Sequence, residues 1–97
     1  MTMPYLAGHE PRILHEEILR ELERARAKFP VQDVWITLAA LTEEVGELNE
    51  AVLQCCSDSN PKGKTLADIR KEAVQVACMA MRVVLDTGVE ERIRSVK

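Results

Sequence analysis

Four glutamates, Glu43, Glu44, Glu47 and Glu50, fall within a single short stretch of the segment Ile36–Ala51, in an EExxE arrangement. At about 100° per residue in a helix, positions 33, 37, 40, 44, 47 and 51 share one stripe. They are Asp33, Thr37, Ala40, Glu44, Glu47 and Ala51, two carboxylates bordered by small side chains, with Glu43 and Glu50 further round toward solvent. A later segment repeats the arrangement: Asp68, Glu72, Gln75 and Met79 share a stripe, and Arg82 lies near its end. Two carboxylates about 5 Å apart repel by roughly 3 kcal/mol at an effective dielectric near 20, so several converging require compensation. A hard divalent cation supplies it, and Mg²⁺ favours one or two carboxylates together with phosphates and water. Such an ion neutralises a phosphate chain and activates an attacking water. The plain alternative is a pair of solvated acidic faces. Against it stands the repetition: each stripe keeps the same offset from its own apolar seam.

The elements that must position these groups are helical. The chain has 97 residues, enough for one domain, and 46% hydrophobic residues provide a core. A first helix is predicted from about Glu10 to Lys28, with Leu14, Ile18, Leu22, Ala25 and Phe29 as its apolar stripe and Pro30 as its stop. A second starts at the N-cap Asp33 and runs to about Cys55. Its seam of Val34, Leu38, Leu41, Val45, Leu48 and Val52 has the spacing of a left-handed bundle contact. Gly46 lies inside this helix, and a close backbone contact would explain it. After a loop with Asn60, Pro61 and Gly63, a third helix opens on the cap pair Thr65 and Asp68 and ends at Gly88. A short fourth helix spans about Val89 to Val96, and residues 1–9 form a loose arm. No stretch alternates with the period of two that a strand needs. The expected fold is an all-α bundle of three long helices and one short one, a single domain over residues 1–97. The two polar stripes would lie beside the packed seams, and a second subunit would complete the bundle, because so short a monomer is marginal.

The segment Ile36–Ala51 resembles the MazG-type all-α nucleoside triphosphate pyrophosphatases, whose signature is EExxE followed on a later helix by ExxD. Glu43, Glu44 and Glu47 match the first half, with Val45, Gly46 and Leu48 between and after them, and Glu72 opens the second. The resemblance covers about residues 33–85. It departs at Gln75, which stands where the family has aspartate: an amide offers a carbonyl oxygen but one charge fewer. Asp68, a turn before Glu72, reads equally as a partial substitute or as a cap residue. The resemblance implies cleavage of a nucleoside triphosphate between the α and β phosphates, to a monophosphate and pyrophosphate. It also implies Mg²⁺ or Mn²⁺ held by Glu44, Glu47, Glu72 and Gln75, with Glu43 or Glu47 helping to deprotonate the water. Small members of the family are homodimers or homotetramers. Two alternatives remain open: a non-catalytic nucleotide-binding or assembly module on the same scaffold, and an enzyme resembling phosphoribosyl-ATP pyrophosphatase.

The other signals bound these readings. Lys62 and Lys64 around Gly63, and Arg82, are candidates for substrate phosphates; a solvated loop and a pairing with glutamate are the respective alternatives. Trp35 lies opposite the carboxylates and reads as core or subunit interface, and Cys78 as a small hydrophobe. Net charge −3 and only three aromatic residues, Tyr5, Phe29 and Trp35, argue against a nucleic-acid polymer as partner. Three cysteines with no CxxC fit neither a disulfide framework nor a zinc finger, and point to the cytoplasm. No apolar run approaches the roughly 20 residues that span a bilayer, and nothing at the N-terminus has the layout of a signal peptide. There is no P-loop to cradle phosphates and no Ser-His or Cys-His arrangement for a covalent route.

Overall fold

The computed structural model describes residues 11–30 and 32–95. They form four helices: α1 (Pro11–Lys28), α2 (Val34–Cys55), α3 (Leu66–Leu85) and α4 (Val89–Ser95). No strand occurs among the described residues, and the fold is all-α as expected. The proposed arm at residues 1–9 and the last residue assigned to the fourth helix, Val96, lie outside the described residues.

The ends of the helices follow from local chemistry. Asp33 caps α2: its Oδ1 accepts from the backbone N–H of Trp35 at 2.8 Å. That bond satisfies one of the orphan donors of the first turn. Thr65 and Asp68 form a reciprocal capping box at the start of α3. In it the Asp68 Oδ2 accepts from the Thr65 N–H at 2.8 Å, so Asp68 acts as a cap residue. Gly88, at φ +82°, takes the left-handed conformation that separates α3 from α4.

α3 is the central element and packs against each of the other three helices. It runs antiparallel to α2. The N–H of Gln32, just before α2, bonds the carbonyl of Asp86, just after α3, at 3.4 Å. Toward the other end of the pair, Glu50 on α2 meets Lys62 in the connecting loop. α1 runs parallel to α3, because the pairs Glu17–Arg70, Glu21–Gln75 and Arg26–Asp86 step along both helices in the same direction.

The packing corrects one expectation. The side of α2 turned to α3 is the stripe of Thr37, Ala40, Glu44 and Ala51, where Thr37 and Ala51 are 0% exposed. The apolar seam is split. Val34, Leu41 and Leu48 are half-buried, while Leu38, Val45 and Val52 remain 39–46% exposed. On α3 the most buried residues are Val74, Cys78 and Arg82, while Ala73 and Ala80 are exposed. Small side chains explain the choice on α2, since Thr37, Ala40 and Ala51 let the helix axes approach closely. Two further expectations change. Trp35 is 74% exposed, so it is not core within one chain. A Cβ on Gly46 would meet nothing within 4 Å, so no contact among the described residues accounts for that glycine.

Candidate metal centre

The helix pairing brings Glu44 and Glu47 of α2 to Glu72 of α3. One carboxylate oxygen from each lies within 4.8 Å of the other two. Glu44 and Glu72 are half-buried and Glu47 is exposed, so the group sits at the rim of the α2–α3 contact with one side open. Glu44 Oε2 and Glu72 Oε2 are buried and have no hydrogen-bond partner. Ionised carboxylates only accept, so neither can satisfy the other until one carries a proton. Burial pushes the Glu44 carboxyl up to about 7; the nearness of Glu72, which a protonated Glu44 could bond, and the negative charge of Glu47 act in the same direction. A proton or a cation is therefore favoured here near neutral pH.

The donor set fits a hard divalent ion. It consists of carboxylate oxygens from two packed helices, two of them buried and unpaired, with the third glutamate exposed to solvent.

The remaining predicted site residues are placed as follows. Gln75, one turn after Glu72, donates its Nε2 to Glu21 Oε1 of α1 at 2.7 Å. Glu21 is also bonded to Arg24, and its carboxyl is held below the ordinary range by the Arg24 bond, with the Gln75 bond adding to it against burial. Glu43 is exposed on the solvent side of α2. Lys62 pairs with Glu50, and the Lys64 N–H bonds the Asn60 side chain at 2.8 Å. Arg82 is 1% exposed; its Nε bonds Asp86 Oδ2 at 2.6 Å and its terminal nitrogen bonds the carbonyl of Phe29. Arg82 stands ten residues beyond Glu72, about 15 Å along the helix axis.

Two participants carried no sequence signal. Glu21 is one of many ionisable residues on α1, and nothing local marks it as the partner of Gln75. Asp86 follows α3 and binds both Arg82 and Arg26, the latter through Nε at 2.7 Å. Burial pushes its carboxyl up, but the bonds from Arg26 and Arg82 outweigh this and hold it below the ordinary range.

An open groove of about 270 Å³ lies between α1, α2 and α3, reaching residues one turn from Glu44 and Glu72 but walled by none of the three carboxylates. Glu21, Ala25 and Phe29 of the α1 side, Ala40 of α2, and Gln75 and Met79 of α3 are among its walls. Cys78 is buried, and burial raises its thiol above the ordinary value, so it is a packing group rather than a nucleophile. No helix of the described residues is long and apolar enough to cross a membrane.

No family model matches the chain, and no match to it was found among curated proteins or solved structures.

Proposed function

We propose that the chain is a metal-dependent nucleotide pyrophosphohydrolase that takes a nucleoside triphosphate to its monophosphate and pyrophosphate. The observation that carries this reading is the Glu44–Glu47–Glu72 group, with two buried oxygens that lack partners. Glu44 and Glu72, fixed by the helix pair, would hold Mg²⁺ or Mn²⁺. A divalent ion in such a setting supplies Lewis acidity toward phosphate oxygens and lowers the pKa of bound water. Glu47, on the exposed side, would complete the ligand set or accept the proton of the attacking water, and Glu43 is the nearest further base in sequence. The groove between the three helices would take the nucleoside end, between the apolar walls of Ala25, Ala40 and Met79, with the Gln75 amide as a polar contact. Arg82 would support the groove from beneath, since Asp86 and the Phe29 carbonyl already engage it. The acting unit would be a homodimer or homotetramer.

One observation favours the second reading, a non-catalytic nucleotide-binding module. The Gln75 amide is engaged by Glu21, and a position that could have given a fourth carboxylate gives none. A panel of nucleotides with Mg²⁺ or Mn²⁺ separates the readings. The proposal expects metal-dependent release of pyrophosphate that stops when the metal is chelated. Nucleotide binding with no release of pyrophosphate supports the module, and release of phosphate instead refutes the bond assignment. A response confined to phosphoribosyl-ATP would move the substrate but keep the chemistry.

A further inference from the structure

We infer that Glu21 and Gln75 make the groove between α1, α2 and α3 selective for a base that carries an exocyclic amino group, with Gln75 as the contact and Glu21 as its positioning residue. The inference rests on the nucleotide reading above and narrows its substrate class. Gln75 of α3 donates its Nε2 to Glu21 Oε1 of α1 at 2.7 Å. An ionised carboxylate has no hydrogen to give, so only the nitrogen end of the amide can face it. Chemistry therefore fixes which way Gln75 is turned, and its carbonyl oxygen is the end left for a ligand.

That oxygen is open. It accepts no hydrogen bond among the described residues, and there only Glu44 Oε2 and Glu72 Oε2 are buried without a partner, so solvent reaches the Gln75 carbonyl. Gln75 and Glu21 share a wall of the groove with Ala25, Phe29, Ala40 and Met79. Both residues also border a second groove that holds Glu17, Arg70 and Lys71, but only the first reaches α2, the helix of Glu44 and Glu47. The small and apolar walls suit the faces of a planar ring, and the thioether of Met79 adapts to its outline. The edge of that ring then meets the carbonyl of Gln75.

An amide free to swap ends reads donors and acceptors alike. Gln75 is not free: turning it over would set its carbonyl against the Glu21 carboxylate. Glu21 is itself held in place by Arg24, through Nε at 3.1 Å and through a terminal nitrogen. An exocyclic amino group, as on cytosine or adenine, donates to the waiting oxygen. A carbonyl in the same position, as on uracil or hypoxanthine, sets oxygen against oxygen and leaves both unpaired, which costs more than a bond that is merely absent. The contact between α1 and α3 thus does more than join two helices: it decides which end of an amide the groove presents.

Calorimetry with α,β-methylene triphosphate analogues and Mg²⁺ tests this, because such analogues bind without being cleaved. The pairs are cytidine against uridine and adenosine against inosine, which exchange an amino group for a carbonyl. The amino member of each pair should bind about tenfold more tightly. Glu21→Gln, which lets the Gln75 amide turn, should bring each ratio below about threefold by strengthening the oxo members. Uniform weakening of all four analogues would instead make Glu21 a structural contact and overturn its role. Gln75→Leu should abolish the preference and leave Mn²⁺ affinity unchanged; a loss of Mn²⁺ affinity overturns the inference by placing the carbonyl on the metal. Should that variant fail to fold, the wild-type ratios and Glu21→Gln decide. A wild type that discriminates only ribose from deoxyribose, or nothing at all, also overturns it. Preference for amino bases without pyrophosphate release from ordinary triphosphates would keep this inference and refute the reaction, release without preference would do the reverse, and no binding of any analogue would overturn both.

Discussion

The two sides of the α2–α3 pair are made from the same two helices and are opposite in character. One side carries Glu44, Glu47 and Glu72 and is covered in part by α1; the other carries Leu38, Val45, Val52 and Val84 and is left exposed among the described residues. The polar side is the better packed. Thr37 and Ala51 are fully buried there, and the Thr37 hydroxyl is satisfied by the Gln32 side chain at 3.0 Å and the Asp33 carbonyl at 2.9 Å. Hydrophobicity alone would bury the valines and leucines first. The chain instead spends its internal helix contact on fixing carboxylates. Rigid placement of acidic groups and burial of apolar surface are thus divided between two interfaces.

The division implies that changes on the polar side affect chemistry and leave the fold intact. Glu47 is exposed, so Glu47→Gln removes a charge without opening a cavity. We expect pyrophosphate release to fall about 10³-fold, equivalent to roughly 4 kcal/mol in the transition state, with an unchanged helical spectrum. A variant retaining more than about a tenth of the wild-type rate would dissociate Glu47 from the reaction.

Arg82 is the exception on that side, being a buried charge that holds the helices together. Arg82→Ala takes from the buried Asp86 one of its two arginine partners, leaving Arg26, and takes from the Phe29 carbonyl its side-chain donor. Breaking such a buried pair costs about 3–5 kcal/mol. Chemical denaturation should show a loss of that size whether or not nucleotide is present. A variant that is stable but weak in nucleotide affinity would return Arg82 to the role of phosphate contact.

These residues also show how far the sequence could be read. The ends of the helices were legible because caps are local: Asp33, the Thr65–Asp68 box, Pro30 and Gly88 each act within a few residues. Glu44, Glu47 and Glu72 do come together, but not by the expected route: the Glu44 stripe is itself the packed face of α2, not an edge beside a packed seam. The packed face of α2 was not legible, because a seam with heptad spacing looks the same whether its partner helix lies in the same chain or in another. Glu21 and Asp86 were not legible either. Their partners lie 54 and 60 residues away along the chain, and α1 carries no periodic mark at Glu21.

A milder effect concerns pH. The folded chain keeps a proton on Glu44 up to about pH 7, whereas the unfolded chain releases it near 4.5. Between those values the folded state binds more protons, so this contribution to stability is complete below pH 4.5 and is lost as pH rises through 7. Without divalent ions the melting temperature should decline over that window by a few degrees. Glu44→Gln should flatten the decline and exceed the wild type at pH 8. Mn²⁺ should raise the wild-type melting temperature most above pH 7 and raise that of the variant much less. Parallel profiles for the two proteins would remove Glu44 from the metal centre.

The smallest change tests the apolar side, and its sign carries the information. Alanine is favoured over glycine in a helix interior by about 1 kcal/mol, and a Cβ at Gly46 meets nothing among the described residues. If the exposed arc of α2 faces solvent, Gly46→Ala should therefore stabilise the protein by up to that amount, equally at all concentrations. If the proposed homodimer sets a second α2 across that arc, the added methyl groups must fit where two backbones approach, and forced repacking costs about 1–3 kcal/mol. The folded chain then gains helix propensity but loses partner affinity, and the dissociation midpoint should move to about tenfold higher concentration. We expect the second outcome. Sedimentation across a dilution series, with thermal melts at the two ends of the range, measures both quantities on one sample. A uniform gain in stability with no shift in dissociation would place Gly46 in solvent and remove the helix crossing from the proposed dimer.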